Sequence, residues 1–395
     1  MLTTEKLTTT DVKKINKNRV FRLIHFSGKV ARQEISDALR LSLPTVNQNL
    51  KYLFNEDLIE YAGNFESTGG RKAQVIMVKG SSKLAISVNI TANEIVAYLV
   101  DLRGVVIDEI KLSVNIVNND FEADIASLVN NLINKNNIIK ENVLGVGITV
   151  PGIFDNDNKI ILSAPTMGLK NYEVKNLTKN IDFKTIVVND AKAYAFANYW
   201  KNKQREAAGL ITVRNFDEKK LMDNDFSSVY LMLNEGVGGA FIDGETIRKG
   251  IHNRAGEFGH MTIYPGGEKC YCGKRGCYES YVSARVLSTK LGVSLDTFFR
   301  KLKEHDREYS KVFDKYLDDL AVGINNIFLM NDSNICLCGE VATYLKDYEE
   351  DLKRRLIDYC AFDTDASYLQ FTTCSESEAK VGAAFMFLID FIASI

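Results

Sequence analysis

The chain is poor in the features that mark non-globular, membrane or secreted proteins. Four prolines in 395 residues leave no collagen-like reading, and with 46% hydrophobic and 25% charged residues the composition is not that of a disordered chain. No run approaches the roughly 18 uninterrupted apolar residues of a membrane span. The polar start MLTTEKLTTTDVKK lacks the apolar stretch of a secretory signal, so a cytoplasmic protein is expected. Excess charge of one sign is missing too, with 49 Lys plus Arg against 51 Asp plus Glu. The seven cysteines are odd in number and unevenly spread, which suits a reducing compartment and argues against a disulfide framework. At roughly 100–200 residues per domain, this length predicts two or three domains.

The charge balance hides an asymmetry. Residues 1–80 carry 13 basic and 8 acidic side chains, net +5, which leaves 36 and 43, net −7, for the rest. A small basic segment joined to a large acidic one suggests that one part meets a polyanion and the other does something else.

Within the basic segment, Val12, Ile15, Val20, Leu23 and Ile24 recur at helical spacing and predict a helix from Asp11 to Phe26 that stops at Gly28. A second helix is expected over Glu34 to Leu39. A third should run from Leu43 to Phe54, with Ser42 as N-cap and Pro44 tolerated in the first turn. On it, Val46, Leu50, Leu53 and Phe54 share one side. Thr45, Gln48, Lys51 and Tyr52 then face outward with Asn47 and Asn49 at the edges. That face is amide-rich and free of acid, a chemistry suited to base edges in a major groove, with Lys51 available to phosphate. Leu58–Tyr61 and Ala73–Val78 read as two strands joined by a basic tip, Ser67-Thr68-Gly69-Gly70-Arg71-Lys72, able to lay Arg71 into a minor groove. Order and size are those of a winged helix-turn-helix reading double-stranded DNA.

Beyond Gly80, short β-branched runs alternate with helical stretches. Strands are expected at Leu84–Ile90, Ile95–Asp101, Val105–Leu112, Val143–Val150 and Thr185–Val188, and again at Val229–Leu233 and Gly236–Ile242, with a helix over Phe121–Asn136. Two copies of a strand-meander-plus-helix unit point to an α/β fold of two similar lobes, the architecture of actin-like and hexokinase-like ATPases. The division expected is a head at 1–80 and a sensor domain at 81–395. Within the sensor, a small lobe takes about 81–190 plus a C-terminal helix at about 376–395, and a large lobe takes about 191–375.

One cluster of soft ligands is conspicuous: His260-x9-Cys270-x-Cys272-x4-Cys277, interrupted by Gly266, Gly267, Gly273 and Gly276. Three thiolates plus one imidazole make a closed tetrahedral set, so a structural zinc site is expected. Cys336, Cys338, Cys360 and Cys374 lack such spacing and read as small core residues. A metal on His260 would also orient Glu257, one turn earlier if the segment is helical.

Glu257-Phe258-Gly259-His260 followed by Cys270-Tyr271-Cys272-Gly273-Lys274-Arg275-Gly276-Cys277-Tyr278-Glu279 resembles the signature of the ROK family of sugar kinases and sugar-responsive repressors. Pro151-Gly152, Asn189-Asp190-Ala191 and Gly236-Val237-Gly238-Gly239 resemble family motifs in the same order. The resemblance extends over essentially the whole chain, because the repressor branch, of xylose and N-acetylglucosamine type, carries a winged helix-turn-helix ahead of this domain. It implies that Asn189, Asp190, Glu257, His260 and Glu279 bond sugar hydroxyls and that backbone near Gly152 closes the pocket. Thr166 stands where relatives usually carry an Asn that also touches sugar, so a different hydroxyl pattern is expected. The resemblance also implies a homodimer or homotetramer on a palindromic operator.

In a ROK kinase the residue matching Asp190 is the general base, and an Asp-x-Gly-Gly-Thr hairpin holds ATP phosphates. Here the hairpin reads Asn89-Ile90-Thr91-Ala92-Asn93, and Cys338-Gly339-Glu340 replaces a more Gly-rich turn. An amide in place of a carboxylate weakens any magnesium link, so phosphoryl transfer is expected to be lost with Asp190 left as a vestigial base. The expectation is a sugar-responsive transcriptional repressor of carbohydrate-utilisation genes. Two rivals remain: a working sugar kinase with a regulatory head, and a domain controlled by a partner protein instead of a sugar.

Overall fold

The computed structural model describes residues 8–65, 73–116, 121–155, 159–212, 227–362, 365–372 and 374–395. The elements in chain order begin with α1 (Thr9–Ser27), α2 (Arg32–Leu39), α3 (Leu43–Asn55), β1 (Ile59–Asn64) and β2 (Gln74–Val78). There follow β3 (Leu84–Ile90), β4 (Glu94–Asp101), β5 (Val106–Ser113), α4 (Glu122–Lys135), β6 (Val143–Val150), β7 (Ile153–Asp155), β8 (Ile160–Ala164), β9 (Leu169–Glu173), α5 (Lys175–Thr178), β10 (Thr185–Asn189) and α6 (Asp190–Thr212). Next come β11 (Ser227–Leu233), β12 (Val237–Asp243), β13 (Thr246–Ile247), α7 (Glu279–Val282), α8 (Ala284–Leu287), α9 (Leu295–Lys303) and α10 (Arg307–Asn331). The chain ends with β14 (Asn334–Cys338), α11 (Glu340–Leu345), α12 (Glu349–Tyr359), β15 (Leu369–Phe371), α13 (Glu376–Ala379) and α14 (Gly382–Ser394).

Local chemistry accounts for the head. Thr8 opens α1 through a capping box, its hydroxyl accepting the Asp11 N–H at 3.2 Å while its own N–H donates to Asp11 at 2.9 Å. Ser42 caps α3 by accepting the Thr45 N–H at 3.3 Å, with Pro44 in the first turn. Val46, Leu50 and Leu53 are buried on α3, while Phe54 is half-buried and packs on Tyr61 of β1 at a ring separation of 4.5 Å. β1 and β2 pair antiparallel as the wing, and Val30 bridges to Ile76. The expected wing tip, including Arg71 and Lys72, lies outside the described residues.

Contacts divide the chain into two compact units, Met1–Asn224 with Ser377–Ile395, and Asp225–Glu376. The first holds a five-stranded sheet ordered β10-β6-β3-β4-β5, and the second a five-stranded sheet ordered β13-β12-β11-β14-β15. The two share one pattern: an antiparallel meander whose first strand pairs parallel with a later strand, which pairs parallel with a last one. The expectation of two similar α/β lobes is met at this level. Parallel central strands are covered on both faces and read as apolar runs, as in β3, where Leu84 to Val88 are all buried. Residue 190 marks the junction between β10 and α6 and not an edge between units, because α6 packs within the first unit against α14.

Each unit has its own core. In the first, Ile86, Val88, Ile95, Leu99, Ile125, Leu132 and Ile148 interlock between the sheet and α4. In the second, Leu231, Tyr278, Phe298, Leu317, Ile324 and Leu337 do so. Cys336 and Cys338 are buried in β14, as expected of small core residues. Cys360 and Cys374 are only half-buried, because they lie in connecting segments beyond α12 and β15. Among the described residues, no helix is long and apolar enough to cross a membrane.

Candidate functional site

In the second unit a glycine-rich loop gathers four soft ligands. Bridges between Thr262 and Cys277 and between Lys269 and Arg275 fold it into a small hairpin. Gly276, at φ +84°, closes the turn where a Cβ would stand 1.8 Å from the Tyr264 carbonyl oxygen, so no other residue fits. The ligand atoms of His260, Cys270, Cys272 and Cys277 all lie within 4.8 Å of one another. The Cys272 and Cys277 sulfurs are 3.7 Å apart, and Cys270 Sγ stands 3.8 Å from His260 Nδ1. A tetrahedral ion with bonds of about 2.3 Å to sulfur spaces its ligand atoms by roughly 3.8 Å, so donor set and spacing both fit zinc.

Around this cluster the structure adds residues that spacing did not reveal. Tyr271 Oη lies 3.4 Å from His260 Nε2, leaving Nδ1 to face the thiols. Tyr264 donates to the buried Asp319 carboxylate of α10 at 2.6 Å, with Lys315 on the same pair, and Tyr281 Oη accepts the Glu268 N–H at 2.7 Å. The loop is thereby tethered to α10 and α7. Only the run of tyrosines beside the cysteines hinted at this in the sequence.

Burial, then the hydrogen bond to Glu279, pushes the Cys270 thiol well above its usual value. On Cys272 burial acts upward too, but the Lys274 N–H and the neighbouring thiols outweigh it and the net direction is down. Glu279 opens α7, is buried, and lies with Oε1 2.7 Å from Cys270 Sγ and 3.8 Å from His260 Nδ1. Glu257 directly precedes the turn Phe258–His260, which is a 3-10 helix and not an α-helix.

The other residues expected at a sugar site belong to the first unit. Asn189 ends β10 and donates from Nδ2 to the Gly152 carbonyl at 2.9 Å, bringing those two together. Gly152, at φ +153°, is held against the end of β8, and Thr166 is exposed in the 3-10 turn Pro165–Met167, whose Met167 is buried. Asp190 starts α6 and accepts the Ala191 N–H at 2.9 Å, while burial raises its pKa above the ordinary carboxylate value. The expected set thus divides into Gly152, Thr166, Asn189 and Asp190 in one unit and Glu257, His260 and Glu279 in the other.

At the hairpin expected to hold phosphate in a kinase, Asn89 is committed inward. Its Nδ2 donates to the Lys380 carbonyl at 2.8 Å, Ser87 donates to the same oxygen at 2.9 Å, and Thr149 donates to Asn89 Oδ1. Backbone carbonyls of Ala92 and Asn93 accept from Ile116 and Val114. The N–H of Glu340, which starts α11, is taken by Asn234 at 2.7 Å.

On the head, Asn47, Gln48, Lys51 and Tyr52 of α3 are exposed, and Thr45 and Asn49 are half-exposed. Lys17 of α1 places its ammonium 4.1 Å from the Tyr52 ring centre, a neighbour the helical pattern did not indicate.

Comparison with known proteins gives consistent likenesses. The ROK family model matches residues 85–214 and 218–389. The xylose repressor of Bacillus subtilis strain 168 is 25% identical over 299 residues, covering 75% of this chain and 72% of that protein. The N-acetylglucosamine repressor of Escherichia coli O157:H7 is 25% identical over 351 residues, covering 84% and 81%. Among solved structures, a ROK family transcriptional regulator described as a homologue of the E. coli MLC protein has a TM-score of 0.68 at 20% identity over 97% of this chain and 100% of that one. The ROK hexokinase of Thermus thermophilus has a TM-score of 0.62 at 20% identity over 78% and 99%. The structural likenesses speak to the fold.

Proposed function

The chain belongs to the ROK family, and from that premise we propose that it is a sugar-responsive, DNA-binding transcriptional repressor of carbohydrate-utilisation genes, cytoplasmic and homo-oligomeric, whose kinase chemistry is lost. The observation that carries this reading is the pairing of a winged helix-turn-helix head, with an exposed acid-free face on α3, and a ROK domain in which Asn89 is used internally. The functional division proposed is a head at 1–80 and a sensor at 81–395.

Support for the loss of phosphoryl transfer comes from geometry. Transfer needs a metal and donors aimed at the phosphates. At Asn89 the amide offers no charge to magnesium, and both its ends are engaged by Lys380 and Thr149. The N–H that an anion at the start of α11 would use is capped by Asn234. The two sequence relatives named above are repressors, which agrees with this reading, while a ROK hexokinase shares the fold. Retention of Asp190, with its pKa raised by burial, favours the second reading of a residual sugar kinase. Release of ADP from magnesium-ATP in the presence of sugars separates the two.

In this account His260, Cys270, Cys272 and Cys277 hold a structural zinc, which when bound supplies a crosslink in place of a core. The loop that it closes carries Glu257 and Glu279. Glu257, His260 and Glu279 of the second unit, and Asn189, Asp190, Thr166 and the Gly152 backbone of the first, are the residues proposed to bond sugar hydroxyls, since carboxylates and amides share bonds with adjacent hydroxyls. Thr45, Asn47, Gln48, Lys51 and Tyr52, with Arg71 and Lys72 of the wing, are proposed to meet a palindromic operator. A gel-shift titration across monosaccharides tests the whole: at least one sugar should change operator affinity, and a panel without effect would contradict sugar control.

A further inference from the structure

A helix in a three-helix head needs to bury only one stripe, yet α1 is buried at every position from Val20 to Phe26. The second layer that covers it consists of α6 and α14. Trp200, the only tryptophan in the chain, projects from α6 and meets His25 edge-on at a ring separation of 5.2 Å and Phe26 at 5.7 Å. On its other side Trp200 stacks on Phe385 of α14 at 5.0 Å and 20°. His25 Nε2 donates to the Leu102 carbonyl at 2.7 Å, and Asn18 of α1 donates to the Ile392 carbonyl of α14 at 2.7 Å. The head is therefore built onto the sensor along one seam.

That seam connects to the candidate ligand residues through a single rigid element. α6 begins at Asp190, directly after Asn189, and Trp200 lies ten residues along, about 15 Å at 1.5 Å per residue. Its first turns cannot slide past α14 unnoticed, because a Cβ on Gly382 would stand 1.8 Å from the Ala193 carbonyl oxygen. α14 in turn begins two residues after Lys380, whose carbonyl is clasped by Ser87 and Asn89.

The seam is also imperfectly satisfied. With Nε2 committed to Leu102, the buried atoms His25 Nδ1, Ser27 Oγ and Trp200 Nε1 have no hydrogen-bond partner among the described residues. Buried polar atoms lacking partners destabilise the closed arrangement, and opening the seam returns each to water. An element with two arrangements, touching the ligand residues at one end and the head at the other, is what coupling between sites requires.

We propose that α6 transmits the ligand state of the Asn189–Asp190 junction to the DNA-binding head, with the contact of Trp200 on His25 and Phe26 as the joint that loosens. The proposal rests on the reading that this junction helps to bind a sugar. Displacement of the first turn of α6 on ligand binding moves Trp200, and the head is freed to change its orientation.

Two measurements on the full-length protein test it. The DNA probe is a duplex selected from a random pool by the protein itself, and the sugar probes are D-xylose, D-glucose and N-acetyl-D-glucosamine. First, the intrinsic emission of Trp200 should shift to the red on addition of the sugar that weakens duplex binding. Second, Trp200→Phe and Asn18→Ala should each bind duplex and sugar separately within about threefold of the parent, while the factor by which sugar changes duplex affinity falls at least about fivefold. Asn18→Ala removes the hydrogen bonds that Asn18 donates to the Ile392 carbonyl and accepts from Arg22 Nε, near the exposed half of α1, so it carries the test if Trp200→Phe does not fold. Undiminished coupling in the folded variants, or weakened duplex binding with unchanged Trp200 emission, overturns the relay. A parent protein indifferent to all three sugars contradicts the sugar reading itself, and the relay falls with it.

Discussion

The side chain of Asn89 donates to the backbone carbonyl of Lys380 at 2.8 Å, joining the end of β3 to the segment that leads into the last helix. A residue that the family resemblance places where kinases carry a carboxylate is here part of the internal framework. Asn89→Asp should therefore not restore a kinase. It would set a carboxylate oxygen against the Lys380 carbonyl, and a loss of about 1–3 kcal/mol is expected in urea unfolding with no ADP release above background. Sugar-dependent ADP release from this variant would contradict the assignment of Asn89.

Cys272→Ser should lower the bound zinc, measured by elemental analysis, from one per chain to a small fraction. The loss in stability should exceed the ~1 kcal/mol typical of point substitutions, because a missing structural metal is among the few large-effect mechanisms. Retained stoichiometry with an unchanged melting temperature would remove Cys272 from the ligand set.

On the exposed face of α3, Lys51→Ala should weaken duplex binding evenly across sequences and reduce the salt slope by about one. Gln48→Ala should instead cost about 1–3 kcal/mol at particular base pairs and relax preference there. Binding-site selection and salt titrations distinguish the two, and identical behaviour to the parent would take both residues off the DNA.

His25 gives a pH prediction. Burial, opposed by its bond to Leu102 and assisted by the Arg22 charge, lowers its pKa from 6.5 to about 4. Between those values the unfolded chain binds a proton that the native protein does not. Stability from this group is complete above pH 6.5, declines as pH falls toward 4, and changes no further below it. The window of about 2.5 units corresponds to at most about 3 kcal/mol. The unfolding midpoint of the parent should fall over this range more steeply than that of His25→Gln, and parallel curves would contradict burial of a neutral imidazole.

The legible parts of the molecule were those written in local patterns. Ser42 and Pro44 announce α3, β-branched runs announce all five strands of the first sheet but only β11 and β12 of the second, and the spacing of His260 with three cysteines announces the ligand cluster. Contacts between residues far apart in the chain leave no such trace. Nothing in the spacing pairs Asn89 with Lys380, Trp200 with His25, or Tyr264 with Asp319. The sequence boundary at 190 fell on a strand-to-helix junction for the same reason, since only packing against α14 decides to which unit α6 belongs.

The most direct test of the account is the affinity of the full-length protein for its selected duplex, by fluorescence anisotropy without nucleotide, with and without each monosaccharide, for the parent and for Asp190→Asn. The account predicts that at least one sugar shifts the parent's affinity by about fivefold or more, while Asp190→Asn binds the duplex equally well and no longer responds. An affinity indifferent to every sugar in the parent, or a full response in Asp190→Asn, would contradict it.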